Sequence, residues 1–251
     1  MITKRIIPCL DIKDNKVVKG VQFKNLQIIE DPVTLAKYYA NSLADELVLY
    51  DISASKENKE TIFDLAKKVA KEIQIPFTIG GGIKSIAGFD EALKSGADKV
   101  SINSAAINNP SLITQASKKF GAQCVVLSID AKLENGIWEV YSKGGSQKEN
   151  MNALEWAITG EKLGAGEIVF NSINADGEKK GFSEEILKEL NNHLSIPIIA
   201  SGGAGSMEDF LSVFKNTGVD AALAASVFHK KEISIKDLKG YLKENKIEVR
   251  L

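Results

Sequence analysis

The chain has 251 residues, with 32 basic and 33 acidic side chains, a net charge of −1 and 44% hydrophobic content. Its longest nearly unbroken apolar run, Ala221 to Phe228, interrupted by Ser226, is far short of the ~18 residues that cross a bilayer, and the apolar stretch between Arg5 and Asp11 is too brief for a secretory leader, so a cytoplasmic protein without a membrane span is expected. Only two basic residues are arginine, Arg5 and Arg250, which excludes a nucleic-acid footprint, and two isolated cysteines, Cys9 and Cys124, support neither a disulfide framework nor a CxxC metal site.

In chain order, an apolar run at 5–10 predicts a strand that ends at Asp11. The stretch Lys13 to Ile29 then exceeds the roughly 2–6 residues of an ordinary strand-to-helix connection. It reads as a lid over a site or as a surface hairpin, with Lys19 beside Gly20 as the cation expected to reach a ligand. Asp31 before Pro32 is the N-cap and first residue of a helix. A strand at 46–50 follows, then a helix over Asn58 to Ile73, where Ile62, Leu65, Ala66, Val69, Ala70 and Ile73 share one face. The strand at 76–79 runs into Gly80-Gly81-Gly82, a helix ends near Gly96, and the strand at 99–102 runs into Asn103-Ser104. Asn109 before Pro110 opens a helix that Gly121 closes. The strand at 124–129 leads to Asp130. Helical patterns over Ala153 to Leu163, Ser183 to Leu194, Met207 to Lys215 and Ile235 to Asn245 alternate with strands at 167–172, 197–200 and 220–224.

These strands are apolar without alternation, as in a parallel sheet buried on both faces. Eight of them alternating with helices predict a (β/α)₈ TIM barrel, a fold of about 250 residues; an open doubly wound sheet is the competitor. An internal repeat favours the barrel. RIIPCLDIK (5–13) matches CVVLSIDAK (124–132), DELVLYDISAS (45–55) matches GEIVFNSINAD (166–176), IPFTIGGGI (75–83) matches IPIIASGGA (196–204), and GADKVSINSA (96–105) matches GVDAALAASV (218–227). Four matches in the same order at near-constant offset predict two half-barrels, approximately 1–120 and 121–251, fused into one domain.

In such a barrel the site lies at the C-terminal ends of the strands. Asp11 and Asp130 end strands on opposite sides of the ring, an arrangement suited to a general acid and a general base acting on one substrate. A lone aspartate there more often caps loop amides; its duplication favours the paired reading. The glycine turns at 80–82 and 202–203, each beside a strand ending in small residues (Asn103-Ser104, Ala225-Ser226), form two amide-lined anion cradles. Two opposed cradles imply a long ligand with a phosphate at each end, held without arginine. At the opposite face Arg5, Glu46, Lys99 and Glu167 each start a strand, and charges pointing into a barrel must pair. That ring is a salt-bridged plug unless something small passes along the barrel axis. Neither cysteine has a nucleophile turn, and no metal-binding, Walker or dinucleotide motif is present, so no metal and no cofactor is expected.

Taken together, KRIIPCLDIKDNKVVKG, DELVLYDISAS, IPFTIGGGI, GADKVSINSAA, CVVLSIDAK, GAGEIVFNSINADG, IPIIASGGAG and DAALAASVFHKKEI resemble, over essentially the whole chain, the cyclase subunit of imidazole glycerol phosphate synthase. The resemblance implies an enzyme of histidine biosynthesis that forms a heterodimer with a glutaminase subunit. With ammonia from that partner it would convert the bisphosphate phosphoribulosyl-formimino-aminoimidazole carboxamide ribonucleotide to imidazole glycerol phosphate and aminoimidazole carboxamide ribonucleotide. It also implies roles: Asp11 and Asp130 in acid–base chemistry; Gly82, Asn103 and Ser104 at one phosphate; Asp176, Gly177, Gly203, Ala225 and Ser226 at the other; Arg5, Glu46, Lys99 and Glu167 at the ammonia entrance; Asp98 at the partner interface. The chain departs from its relatives in three places: Ser142 to Asn150 lacks their arginine and threonine, Glu30 replaces a common glycine, and Asn174 stands where an aspartate is frequent. Two rivals remain, the preceding isomerase of the pathway, which needs no ammonia, and a non-catalytic barrel that only activates a glutaminase.

Overall fold

The computed structural model describes residues 3–21, 24–52 and 62–251. The first half runs β1 (Arg5–Lys13), β2 (Lys16–Val21), β3 (Lys24–Glu30), α1 (Pro32–Asn41), β4 (Leu47–Asp51), α2 (Ile62–Ala70), β5 (Phe77–Gly80), α3 (Ile86–Lys94), β6 (Lys99–Ile102), α4 (Ser104–Asn108) and α5 (Ser111–Phe120). The second runs β7 (Val125–Glu134), β8 (Ile137–Ser142), β9 (Gln147–Asn152), α6 (Ala153–Leu163), β10 (Glu167–Ser172), α7 (Glu184–His193), β11 (Ile198–Ser201), α8 (Met207–Thr217), β12 (Ala221–Ala224), α9 (Ser226–His229) and α10 (Ile235–Glu244).

Strands β1, β4, β5, β6, β7, β10, β11 and β12 are parallel neighbours in that order, and β12 pairs with β1. The halves join at β6–β7 and β12–β1, and within the second half β7 pairs with β10, Asp130 opposite Asn171, so no open edge remains and the doubly wound alternative is excluded. The predicted (β/α)₈ TIM barrel is the fold. No helix among the described residues is long and apolar enough to cross a membrane.

Period-two geometry decides what each strand delivers. In β1, Ile6 and Leu10 face the helices, whereas Ile7 and Cys9 join Val48, Val126, Val169, Ile199, Ala221 and Leu223 in a separate inner cluster. Arg5 and Asp11 share the phase of Ile7 and Cys9, one at each end. The same phase runs from Glu46, just before β4, through Val48 to Tyr50, and from Glu167 through Val169 to Asn171 in β10. Strands buried on both faces account for the missing alternation.

Local signals agree with the helix boundaries. Asp31 Oδ1 caps α1 by accepting the Thr34 N–H at 2.9 Å, with Pro32 in the first turn. Ser206 and Asp209 close a capping box on α8. Asn109 is a correction: its backbone carbonyl accepts the Leu112 N–H at 3.0 Å, but its side chain caps no amide of α5 and instead accepts the Ser111 hydroxyl at 2.7 Å, while Pro110 already has helical dihedrals. The helix expected from Asn58 is described from Ile62 onward, its start lying outside the described residues.

Two antiparallel hairpins rise from the same rim. The described residues of the Lys13 to Ile29 stretch follow the hairpin reading, β2 pairing with β1 and β3 with β2. Its counterpart, β8 and β9 on β7, occupies residues for which the sequence predicted no strand.

Candidate active site

A cavity of about 680 Å³ opens at the C-terminal ends of the strands, within the range of small-molecule sites. All eleven residues expected to carry chemistry or hold substrate line it: Asp11, Lys19, Gly82, Asn103, Ser104, Asp130, Asp176, Gly177, Gly203, Ala225 and Ser226.

Asp11 and Asp130 sit in different surroundings. Asp11 is 6% exposed. The first hairpin brings Lys19 Nζ to 3.4 Å from Asp11 Oδ2 and 3.7 Å from Asp176 Oδ1, so one ammonium bridges two carboxylates. Burial pushes the Asp11 carboxyl up, and Lys19 opposes that only in part. Burial would lower the Lys19 ammonium, but Asp11 and Asp176 outweigh it and hold the pKa above its ordinary value. Asp130 is held by neutral groups, Asn171 Nδ2 on Oδ1 at 2.9 Å and Asn103 Nδ2 on Oδ2 at 2.8 Å. Burial raises it to about 6 despite these donors.

Asn171 was missed in the sequence, although it stands two and four residues past Val169 and Glu167 on the inward phase. Its carbonyl in turn accepts the Ser201 hydroxyl at 3.1 Å. Tyr50, in phase with Glu46, was also missed; its hydroxyl lies 3.1 Å from Ser101 Oγ, and burial pushes its pKa up.

The two glycine turns differ. A Cβ on Gly82 (φ +71°) would meet nothing within 4 Å, so that turn is open to the cavity. A Cβ on Gly203 (φ +111°) would stand 2.0 Å from the Gly181 carbonyl oxygen, so this glycine is also demanded by packing. Ser104 Oγ accepts the Lys143 N–H at 2.9 Å, which ties the second hairpin to the Gly82 side. Two buried acceptors in the site, Asn103 Oδ1 and Asp176 Oδ2, have no hydrogen-bond donor among the described residues. Neither departure at Glu30 or Asn174 disturbs the frame: Glu30 Oε1 accepts the Asp31 N–H at 2.9 Å, and Asn174 Oδ1 accepts the Leu133 N–H at 2.8 Å.

No nucleophile emerges from the remaining candidates. The Cys9 Sγ–H points at Asp11 Oδ1 from 3.8 Å, and burial pushes the thiol up. His229 packs behind the site, its Nδ1 2.6 Å from the Tyr39 hydroxyl, and burial followed by the Lys19 charge lowers it to about 4. Among the described residues no cluster of His, Cys, Asp and Glu is arranged to hold a metal.

Arg5, Glu46, Lys99 and Glu167 do not join the cavity but close a ring at the opposite end of the barrel. Arg5 Nη1 and Nη2 lie 2.7 Å from Glu46 and 2.7 Å from Glu167, while Lys99 Nζ lies 2.9 Å and 2.8 Å from their other oxygens. Each carboxylate oxygen receives one cation. Beside the ring, exposed Asp98 accepts the Phe77 N–H at 2.9 Å.

A family profile described as "Histidine biosynthesis protein" matches residues 5–234. The chain is 53% identical over 251 residues to "Imidazole glycerol phosphate synthase subunit HisF" of Flavobacterium psychrophilum, covering all of both chains. It is 53% identical to the protein of that name from Hydrogenobaculum and 51% identical to that from Geobacillus thermodenitrificans, each over 252 aligned positions and the full length of both chains. With identity of that degree from end to end, the chain belongs to the HisF family of imidazole glycerol phosphate synthase subunits, within the histidine biosynthesis proteins.

Proposed function

We propose that this chain is the cytoplasmic cyclase of a heterodimer with a glutaminase subunit, closing an imidazole ring with ammonia. The carrying observation is the paired arrangement on one set of strand faces: two aspartates from opposed strands over one cavity, and a ring of four charges at the other end of the same barrel. The substrate is the bisphosphate phosphoribulosyl-formimino-aminoimidazole carboxamide ribonucleotide. Its phosphates occupy the Gly82, Asn103 and Ser104 cradle and the Gly177, Gly203, Ala225 and Ser226 cradle, and the hydroxyls between them donate to Asp176 Oδ2 and Asn103 Oδ1, the acceptors that lack a donor. The two halves of the chain act as one domain, and the exposed Asp98 belongs to the face that meets the glutaminase.

Ammonia enters through the ring of Arg5, Glu46, Lys99 and Glu167 and adds to the ribulosyl carbonyl, with loss of water. Attack of that nitrogen on the formimino carbon closes the ring and expels the aminoimidazole. Asp130, at about 6, is a stronger base than an ordinary aspartate and is still ionised above neutrality, which is what a general base requires. Asp11 with Lys19 supplies the proton on the other side. The test is turnover of the bisphosphate with ammonium salt alone at alkaline pH, where free ammonia is plentiful, for the parent, Asp11→Asn and Asp130→Asn. The expected result is product from the parent and none from either variant in folded form. Near-normal turnover by both variants, or isomerisation of the aminoaldose precursor without ammonia, would overturn the reading.

A further inference from the structure

Arg5 is held in the ring by a backbone that the C-terminal segment grips directly on one side and through Asp45 on the other. Before it, the Lys4 N–H donates to the Glu248 carbonyl at 2.7 Å, and Lys4 forms an isolated parallel bridge with Val249. After it, the Ile6 N–H donates to Asp45 Oδ2 at 2.8 Å and the Asp45 N–H returns to the Ile6 carbonyl at 3.1 Å. The other oxygen of Asp45 receives Lys239 Nζ, from α10, at 2.8 Å. Lys239 is 1% exposed and Asp45 8%.

A lysine this deeply buried is uncommon, and stability alone does not explain it, because an apolar pair of similar volume commonly serves as well or better. What the ion pair supplies is direction. It fixes α10 against Asp45, whose chain neighbour Glu46 bonds to Arg5, and Asp45 grips Ile6, whose chain neighbour is Arg5 itself. One side of the ring is therefore registered from outside the barrel at the two residues that flank Arg5, Lys4 and Ile6. Lys99 and Glu167 have no hydrogen bond or ion pair to the C-terminal segment among the described residues.

We propose that Lys239, acting through Asp45, is a positioning residue for the Arg5–Glu46 side of the ring and so for the tight passage of ammonia through it; this rests on the ammonia reading given above. Without the tether the guanidinium is free to swing from Glu46, water enters, and ammonia released by the partner is lost before it reaches the cavity.

The test uses the full chain in complex with its glutaminase subunit and the double variant Lys239→Met/Asp45→Asn, which leaves no lone buried charge. Lys239→Gln/Asp45→Asn, which replaces the ion pair by neutral amides and also leaves no lone buried charge, is the milder variant if the first does not accumulate. The readouts are glutamine hydrolysed per product formed, ammonium-driven kcat and the melting temperature. The expected result is a rise in glutamine consumed per product of about threefold or more, with ammonium-driven kcat held within about twofold. An unchanged ratio in the folded variant overturns the inference. So does an equal fall of glutamine-driven and ammonium-driven turnover, which marks a general structural role. If the parent itself gives no product with ammonium, the ammonia reading fails and takes the inference with it; a working parent with an unaltered variant sinks the inference alone.

Discussion

Asp130 is held by two neutral amides and, among the described residues, by no ion pair, and its carboxyl sits at about 6 against an ordinary 3.8. That difference corresponds to about 3 kcal/mol held against the ionised form. The sign follows: the folded chain binds the proton more tightly than the unfolded one, so stability falls as pH rises from about 4 to about 6 and stays lower above that. Asp130→Asn removes the charge but leaves one amide donor without an acceptor, returning about 1 kcal/mol of the gain. The variant is therefore expected to be inactive yet more stable than the parent by about 1–2 kcal/mol near neutrality, an advantage that vanishes toward pH 4. Urea melts at both pH values check it, and a variant less stable near neutrality would contradict it. Asn171→Ala probes the same carboxylate from outside. Losing one donor to the ionised form raises the Asp130 pKa by about one pH unit, so the acidic limb of the kcat profile should move upward by that amount. A limb that stays in place would mean Asp130 does not set it. Asn171 was readable only by counting inward phase from Glu167, whereas Asp11 and Asp130 declared themselves through duplication.

At the scale of elements, the barrel strands were legible because a strand buried on both faces is apolar at every position, and the helices because their caps and buried stripes are local. The second hairpin was not. Its β9 strand, Gln147–Asn152, is polar with no residue fully buried; Met151 alone among its side chains packs on the core, and Lys148 ties it to Glu134 and Glu139 at 3.0 and 3.2 Å. Glycine turns were visible as sites, but their separate reasons were not. An added Cβ at Gly81 would stand 2.0 Å from the Asp51 carbonyl oxygen, as one at Gly203 would from that of Gly181, whereas at Gly82 it would meet open space. Gly81→Ala and Gly203→Ala should each lose about 3 kcal/mol or more from overpacking and left-handed strain together. Gly82→Ala should lose only about 1 kcal/mol from the strain and raise KM for the bisphosphate, because its methyl projects toward the proposed phosphate. Denaturant melts and a KM measurement on the three variants separate the roles. A KM for Gly82→Ala equal to the parent's would remove Gly82 from the phosphate cradle.

Across the whole molecule, one period-two phase connects floor, wall and mouth: Arg5, Ile7, Cys9 and Asp11 on β1, with Glu46, Val48 and Tyr50 beside them. A ring of charge could be foreseen from the strand starts, since charges aimed into a barrel need partners, but its closure by four direct contacts depends on stagger between strands that no single segment encodes. The ring also makes a prediction about pH. Burial raises the Glu46 carboxyl, yet Arg5 and Lys99 outweigh it and hold the pKa below its ordinary 4.5. A lowered carboxyl contributes stability that is present above about 4.5 and is lost as pH falls through the folded value. Glu46→Gln leaves Arg5 and Lys99 facing Glu167 alone, and removing one partner from a buried network costs about 3 kcal/mol. The gap between parent and variant should be full near pH 7, begin to shrink below about 4.5, and close as Glu46 protonates in the folded parent. Urea unfolding of both proteins across that range measures it, and a gap independent of pH would show that Glu46 holds the ring by shape and not by charge.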